Sequence, residues 1–426
     1  MLRKKLLLFL VFLSFFTLAF SDFWQLYKNE LLKTSEYLTA VQSFKQAELN
    51  LKQFENFLNP YLEFTFGAEP LVINKNGINA FSVSLNLNFL KVYGSNIGIS
   101  LPLDIDLKND SIDLDYPSLK ISRNLFQEQK AEHLEALSNY YSSLWNLKEV
   151  KWSKLKELIN DIFNWWYYNE LKKLNVEKLE IIKQKMSEVK EDSEKRELKN
   201  QILEIQKSLL NYENILKNID IDCSYELYEE ALKSIKELIE EIPGTSKALR
   251  EDLLAVKYSK EAAFEKSNLW YLPYLPNPSL GITFGYNDGK FDWSISISLS
   301  YTLIDHGEKK FQSENRKVDS KIKELGYLNK QKKIVENIST IMNSIDSLMV
   351  QKELENLKIE DSSEQLEKDK KLLDKGFITA LDFELSRIEN EILKVEYQNI
   401  ENEILIKKID FLLERGYELN TGGVSN

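Results

Sequence analysis

The chain has 426 residues, of which 67 are acidic and 56 basic, for a formal net charge of -11. That balance argues against nucleic-acid binding, which needs a basic face to displace counterions from phosphates. A single cysteine, Cys223, excludes an internal disulfide. The two histidines, His133 and His306, are far apart and leave almost no material for a metal cluster or for Ser/His or Cys/His catalysis. Neither an enzyme nor a cofactor site is expected.

The first residues read MLRKKLLLFLVFLSFFTLAFS. Arg3, Lys4 and Lys5 make a basic start, Leu6 to Ala19 is apolar, and Ala19-Phe20-Ser21 places small residues where a signal peptidase reads. Residues 1–21 therefore read as a secretory signal peptide cut before Asp22. The alternative is an uncleaved anchor, for which the run is short against a span of about 20 residues. Loss of three cations takes the charge to -14 (-11 minus 3). No later stretch approaches 18 apolar residues, so no transmembrane helix is expected beyond it. A secreted chain of this size without disulfides suits a large packed assembly.

Residues 22–58 read as helix, ending at Asn59-Pro60. The period then changes. Ser82 to Phe89 alternates small polar with apolar at every step, as do Ile97 to Lys108 and Ile112 to Tyr116, with Leu119 and Ile121 continuing beyond Pro117. A period of two means strands with two unlike faces, and 60–122 holds about four strand segments. From Ser118 to Ile242, 125 residues carry no glycine or proline. Long helices are expected there, about 70 and then 25 residues, broken at the charged patch Lys190 to Lys195. The pattern lapses near Asp220 to Ser224, and a short amphipathic helix follows from Glu226 to Glu241. Pro243-Gly244-Thr245-Ser246 opens a new section.

That section replays the first. A helix runs from Ser246 to about Trp270, and the proline-rich Leu272 to Pro278 stops it. A strand at Leu280 to Phe284, an Asp288-Gly289 turn and a return strand at Ser294 to Tyr301 make a hairpin. A long helix runs from Asp305-His306-Gly307 to Lys375, and after Gly376 a last helix runs to about Glu414. NPYLEFTFG at Asn59–Gly67 and NPSLGITFG at Asn277–Gly285 share six of nine residues, and each stands where a helix gives way to a strand. The expected organisation is thus a tandem. A first repeat at 22–217 is followed by a linker at 218–244. A second repeat at 245–415, with its hairpin at 278–302, precedes a loose tail at 416–426.

The helices carry coiled-coil seams. Leu381, Leu385, Ile388, Ile392 and Val395 are spaced 4, 3, 4, 3, and Leu393, Tyr397, Ile400 and Ile404 make a second seam on the same helix. Leu198, Ile202, Ile205 and Leu209 repeat the spacing in the first copy. Two seams imply neighbours on two sides, as in a wall of helices. Trp165, Trp166, Tyr167 and Tyr168 form an aromatic knot, read as helix packing rather than a ligand site. The fold class is α+β and mostly helical: strand pairs in tandem with very long coiled-coil helices.

The strands belong either to a soluble sheet or to a membrane barrel. Their polar faces carry Ser, Asn, Thr, Gly and Asp, and no obvious layer covers the apolar faces. A barrel with apolar residues toward lipid and small polar ones toward a wet lumen fits this pattern. Trp270, Tyr271 and Tyr274 lie where an interfacial girdle would sit, although packing at a helix–strand junction accounts for them equally well. One chain has too few strands to close an aqueous barrel, and an open edge is not tolerated in lipid, so several chains would share it. On that reading Leu62, Phe64, Phe66, Leu280, Ile282 and Phe284 face lipid, and Glu63, Thr65, Gly281 and Thr283 face the lumen.

Leu272-Pro273, Asn277-Pro278-Ser279-Leu280, Trp293 to Ser300 and Leu303-Ile304-Asp305-His306-Gly307 resemble the TolC-type outer-membrane efflux channels. Gly376 to Phe383 looks like that family's turn at the periplasmic tip, and the repeat order matches over almost the whole chain beyond residue 21. The resemblance implies a homotrimer in the outer membrane, with one shared β-barrel continued by a periplasmic α-helical barrel. It also implies docking of a periplasmic adaptor and an inner-membrane pump at the tip, and passive export of small molecules or proteins by efflux or type I secretion. The site residues it implies are Gly376 at the tip and Asp382 at the closed aperture, with Glu384 beside it.

Departures from the family pattern are visible. The family's second aperture acid falls at Leu385, and its latching tyrosine and arginine fall at Leu373 and Ile378. The first repeat has about four strand segments where two are expected; the extra pair forms either an extracellular hairpin or additional barrel strands. Asp382 is otherwise a first-turn acid favoured by the helix dipole. Asp104, Asp106, Asp113 and Asp115 either bias the lumen toward cations or solvate loop ends. Two other functions compete. One is an outer-membrane-anchored coiled-coil spacer without transport. The other is a periplasmic adaptor, disfavoured because an adaptor nests its helical hairpin inside one β-rich module.

Overall fold

The computed structural model describes residues 22–55, 60–66, 73–74, 77–78, 81–92, 95–106, 111–114, 118–124, 128–241, 250–276, 278–287, 290–299, 301 and 304–419; within 55–118, and at 22, 120, 122–124, 241, 279 and 286–287, the description is of backbone alone. The expected signal peptide at 1–21, the Pro243 to Ser246 opening, the Asp288-Gly289 turn and the last residues of the tail lie outside the described residues.

Among the described residues, eight α-helices and nine strands follow one another. They are α1 (Asp22–Lys33), α2 (Ser35–Glu55), β1 (Pro60–Phe66), β2 (Ile73–Asn74), β3 (Gly77–Ile78), β4 (Phe81–Val92), β5 (Ser95–Asp106), β6 (Ser111–Leu114), β7 (Ser118–Asn124), α3 (Gln129–Glu188), α4 (Asp192–Lys217), α5 (Tyr225–Glu241), α6 (Glu251–Asn268), β8 (Ser279–Asn287), β9 (Lys290–Ser298), α7 (Glu308–Asp374) and α8 (Ala380–Glu414). The order helix, strands, long helix, helix thus occurs twice.

The expected first helix is two. Thr34 separates α1 from α2, and its hydroxyl donates to the Leu31 carbonyl at 2.8 Å, a local bond that competes with the helical ladder. The long breaker-free stretch forms α3, of 60 residues, and α4, of 26. The break falls at 189–191, the start of the charged patch, where no apolar anchor holds a further turn.

The chain folds into two compact units, each gathered from separate stretches of sequence. The first comprises Met1–Thr39, Asn146–Leu249 and Lys333–Asn426. Its main core joins Phe23, Tyr27 and Leu31 of α1, Trp152, Leu155, Ile159, Ile162 and Phe163 of α3, Tyr228, Ala231, Ile235 and Leu238 of α5, and Leu405, Ile409 and Leu412 of α8. In each helix these residues recur three or four apart, so one apolar stripe faces inward. Buried polar groups there find partners: the Tyr27 hydroxyl donates to the Lys151 carbonyl at 2.9 Å, and the Trp152 indole N–H donates to the Tyr417 carbonyl at 3.1 Å. The tail expected from Gly416 is therefore anchored at its start, since Tyr417 is itself buried.

Two smaller clusters continue along the helices. Leu171, Leu174, Ile388 and Val395 form one; Ile182, Leu198, Ile202 and Ile205 form the other, with Leu209 and Leu385 against it. The seams of Leu381 to Val395 and of Leu198 to Leu209 thus contribute residues to these clusters, and Ile400 and Ile404 of the second α8 seam are buried as well. The aromatic knot also packs helix on helix. Trp166 stacks on Tyr228 at 4.8 Å between centroids, and Trp165 meets Tyr225 edge-on at 5.3 Å.

The second unit comprises Ala40–Trp145 and Arg250–Lys332 and holds all the strands. One antiparallel sheet runs β1-β4-β5-β7-β8-β9, with β6 also paired to β5; β2 and β3 pair only with each other. β6 and β7 share one lane. β6 pairs with Leu103 to Asp106 of β5, and β7 with Ser95 to Ser100. The sheet is six lanes wide, four from the first repeat and two from the second. The extra pair of the first repeat lies within the same sheet as the pair of the second.

Candidate functional site

The sheet is two-faced across its whole width. Backbone pairing lines up Pro60, Phe89, Ile97, Ile121, Ile282 and Ile295 in one rung. Two residues along, Leu62, Leu87, Ile99, Leu119, Phe284 and Trp293 form another. Between them, Tyr61, Asn88, Gly98, Lys120, Thr283 and Ser294 share a rung on the opposite face. Residues at i and i+2 share a face, and directly paired residues of neighbouring strands share one too, so a period of two in every strand yields two continuous surfaces. Leu62, Phe64, Phe66, Leu280, Ile282 and Phe284 all fall on the apolar one; Glu63, Thr65, Gly281 and Thr283 fall on the other.

The apolar face is exposed on β9 and half-buried at Leu119, Ile121, Leu280, Ile282 and Phe284. Phe291, Trp293, Ile295 and Ile297 of β9 are 57–72% exposed. A soluble sheet buries such a face against a second layer. On the polar face small residues allow close approach: a Cβ at Gly281 would stand 2.6 Å from the Ser296 hydroxyl oxygen. At the helix–strand junction Trp270, Tyr271 and Tyr274 are exposed, and the Lys317 ammonium lies 4.6 Å from the Trp270 ring centroid.

The second feature is the turn between α7 and α8. Gly376 has φ +73°, its N–H donates to the Leu373 carbonyl and the Phe377 N–H to the Leu372 carbonyl, both at 2.9 Å. This is a Schellman C-cap, whose left-handed residue is best a glycine. Three residues on, Thr379 caps α8. Its hydroxyl accepts from the Asp382 N–H at 3.1 Å while the Asp382 carboxylate accepts from the Thr379 N–H at 3.1 Å, a reciprocal capping box. The other carboxylate oxygen takes the Lys185 ammonium of α3 at 2.7 Å. The Lys185 hydrogen bond, helped by the Thr379 bonds, holds the Asp382 carboxyl below its ordinary range.

Glu384 lies two residues further, paired with Arg387 at 2.6 Å; Arg387 also reaches Glu177 of α3. Leu385, where the resemblance would place a second acid, instead packs on Ile182, Leu198, Ile202 and Ile205. Phe377, at the apex, is 73% exposed. Gly376, Asp382 and Glu384 therefore sit together at a single helical bend of the first unit.

Sequence reasoning missed two charged arrangements. Asp252 at the start of α6 accepts from Arg250 at 2.7 Å and from Lys330 at 2.6 Å, and Arg250 lies over Trp145 at 4.4 Å. Glu396 of α8 faces the buried Glu355 of α7; burial first, then the neighbouring Glu355 carboxyl, raises the Glu396 pKa. Its partner is 41 positions away, and no spacing rule links them. Cys223 packs against the main core, and burial pushes its thiol up to about 11. Among the described residues no group of three His, Cys, Asp or Glu could hold a metal ion, and no helix is long and apolar enough to cross a membrane.

Several solved structures share this architecture. The outer-membrane channel CmeC of Campylobacter jejuni aligns with a TM-score of 0.59 at 12% identity, over 94% of this chain and 87% of that one. The outer-membrane protein VceC of Vibrio cholerae aligns with a TM-score of 0.58 at 12% identity, over 93% and 96%. The open state of the MtrE outer-membrane channel of Neisseria gonorrhoeae aligns with a TM-score of 0.54 at 15% identity, over 94% and 90%. The chain has the TolC-type channel fold. A TolC-type fold accounts for the doubled element order and for the paired long helices. A family model described as the TP096X C-terminal domain matches residues 277–411, and no curated protein sequence matches the chain.

Proposed function

We propose that this protein is a passive outer-membrane channel-tunnel of a multi-component efflux or type I secretion system. Three copies share one β-barrel in the outer membrane and continue it as a periplasmic helical barrel, through which small molecules or proteins leave without chemistry. The observation that carries this reading is the apolar face, in register over six lanes and exposed on β9, opposed by a face rich in small polar residues. Lipid on one side and water on the other satisfy both. The likeness to CmeC, VceC and MtrE supports the same reading. The exposed Trp270, Tyr271 and Tyr274 belong at the level where strand meets helix, as interfacial anchors do.

The periplasmic end is the bend at Gly376, where a periplasmic adaptor and an inner-membrane pump dock. Asp382 lines the closed aperture with Glu384 beside it, and the Lys185 bond restrains the acid in the closed state. Purified protein in a planar bilayer should conduct ions, and Asp382→Ala should conduct more. No conductance from either form would leave a coiled-coil spacer anchored in the membrane. Recovery as a soluble monomer after fractionation and cross-linking would remove both readings.

A further inference from the structure

We infer that each copy brings six strands to the shared barrel, so that three copies close a barrel of 18 strands, with β9 of one copy pairing antiparallel with β1 of the next. The inference rests on the trimeric channel reading and adds the width of its membrane pore.

The four lanes of the first repeat are bonded to one another and, through β7, to the two lanes of the second; none stands apart as a separate hairpin. β4 and β5 have 12 residues each, enough to cross a bilayer, for which a tilted strand needs about 9–11. They keep the same apolar and polar parity as β8 and β9, rung by rung. Strands of a loop outside the membrane would have no reason to hold a lipid-facing pattern in register with their neighbours.

Direction supplies the partner. All pairings are antiparallel, so an even number of lanes leaves β1 and β9 running oppositely. The two edges can therefore meet antiparallel in adjacent copies, whereas an odd number would force a parallel seam. The edge defences are confined to Lys290 and Asp292 at the start of β9 and to Pro60 and Glu63 of β1. β9 ends in Trp293 to Ser298 without a charge or proline, its apolar residues exposed, and β1 has its one proline at the first position. In lipid such edges must be paired. A second copy of this chain offers the strand direction and face pattern they need.

Width follows from lane number. At a strand spacing of about 4.8 Å and a tilt of about 40°, 18 strands close a barrel about 36 Å across between backbones, and four lanes per copy would give about 24 Å. Backbone positions related by threefold symmetry would then lie about 31 Å or about 21 Å apart, and nitroxides reaching roughly 7 Å outward from lipid-facing positions about 43 Å or about 33 Å apart. The test is dipolar spectroscopy on the full chain in nanodiscs, with Cys223→Ser as background and a nitroxide at Ile295→Cys, repeated at Ile297→Cys in case the first variant folds poorly. Distances near the larger value support six strands per copy. Distances near the smaller value overturn it while leaving the shared barrel in place. Absence of any intermolecular signal overturns the inference and the trimeric reading together.

Discussion

Asp382 combines a cap and a bridge, and its removal has a calculable effect. Asp382→Ala deletes the carboxylate half of the capping box, the first-turn acid at the start of α8 and the bond to Lys185. A cap interaction contributes about 1 kcal/mol and a first-turn acid about 0.3–1 kcal/mol. The bridge joins side chains 31% and 32% exposed and adds less than about 1 kcal/mol after solvent screening. These terms overlap, and about 1–2 kcal/mol in total corresponds to roughly a 5- to 30-fold rise in the local opening of the first turn of α8. Amide hydrogen exchange at Asp382, Phe383 and the following turn reads it. Asp382→Asn keeps an oxygen for the Thr379 N–H and should recover part of the protection. Lys185→Met should have little further effect once Asp382 is gone. The folded carboxyl titrates below its ordinary value, so the protection is complete above about pH 4 and lost as pH falls through the depressed pKa. Exchange within twofold of wild type in Asp382→Ala would refute the account of this turn.

Three further outcomes are expected. Gly376→Ala places a Cβ at φ +73° and should cost about 1 kcal/mol, read as faster exchange in the last turn of α7 with the rest of the protein unchanged. Glu396 titrates above its ordinary value, so the native state binds the extra proton and stability falls as pH rises from the unfolded to the folded pKa. Glu396→Gln should therefore raise the thermal midpoint at pH 7.5 and leave it unchanged near pH 4; equal shifts at both would mean that the charge on Glu396 plays no part. With its thiol at about 11, Cys223 should react with a maleimide at pH 8 about a hundredfold more slowly than a peptide thiol; rapid labelling would mean that the main core opens there.

Much of the fold was legible in local patterns. The strands from Ser82 onward announce themselves by period two, and α3, α4, α7 and α8 by long stretches with few breakers and 3.5-residue seams. The Schellman turn was visible as a lone glycine between two helical patterns. Other features had weaker signals. Thr34 ends α1 through a single hydroxyl, which no periodicity records. Asp382 reads as a first-turn acid in isolation; only packing of α3 alongside α8 brings Lys185, 197 positions away, to its carboxylate. Likewise, Tyr417 sits in sequence where a tail begins, and only the approach of Trp152 gives its carbonyl a donor.

By itself the sequence determined that each strand has two unlike faces and that helices stop at two near-identical Asn-Pro junctions. Side-chain alternation is a property of single strands, and proline acts on its own backbone. Tertiary structure alone decided that the six lanes join in one sheet and that their apolar positions fall in common rungs. Register is a relation between segments far apart in the chain: β7 meets β8 across 155 residues, from Asn124 to Ser279, and a slip of one residue would turn every apolar side chain to the other face.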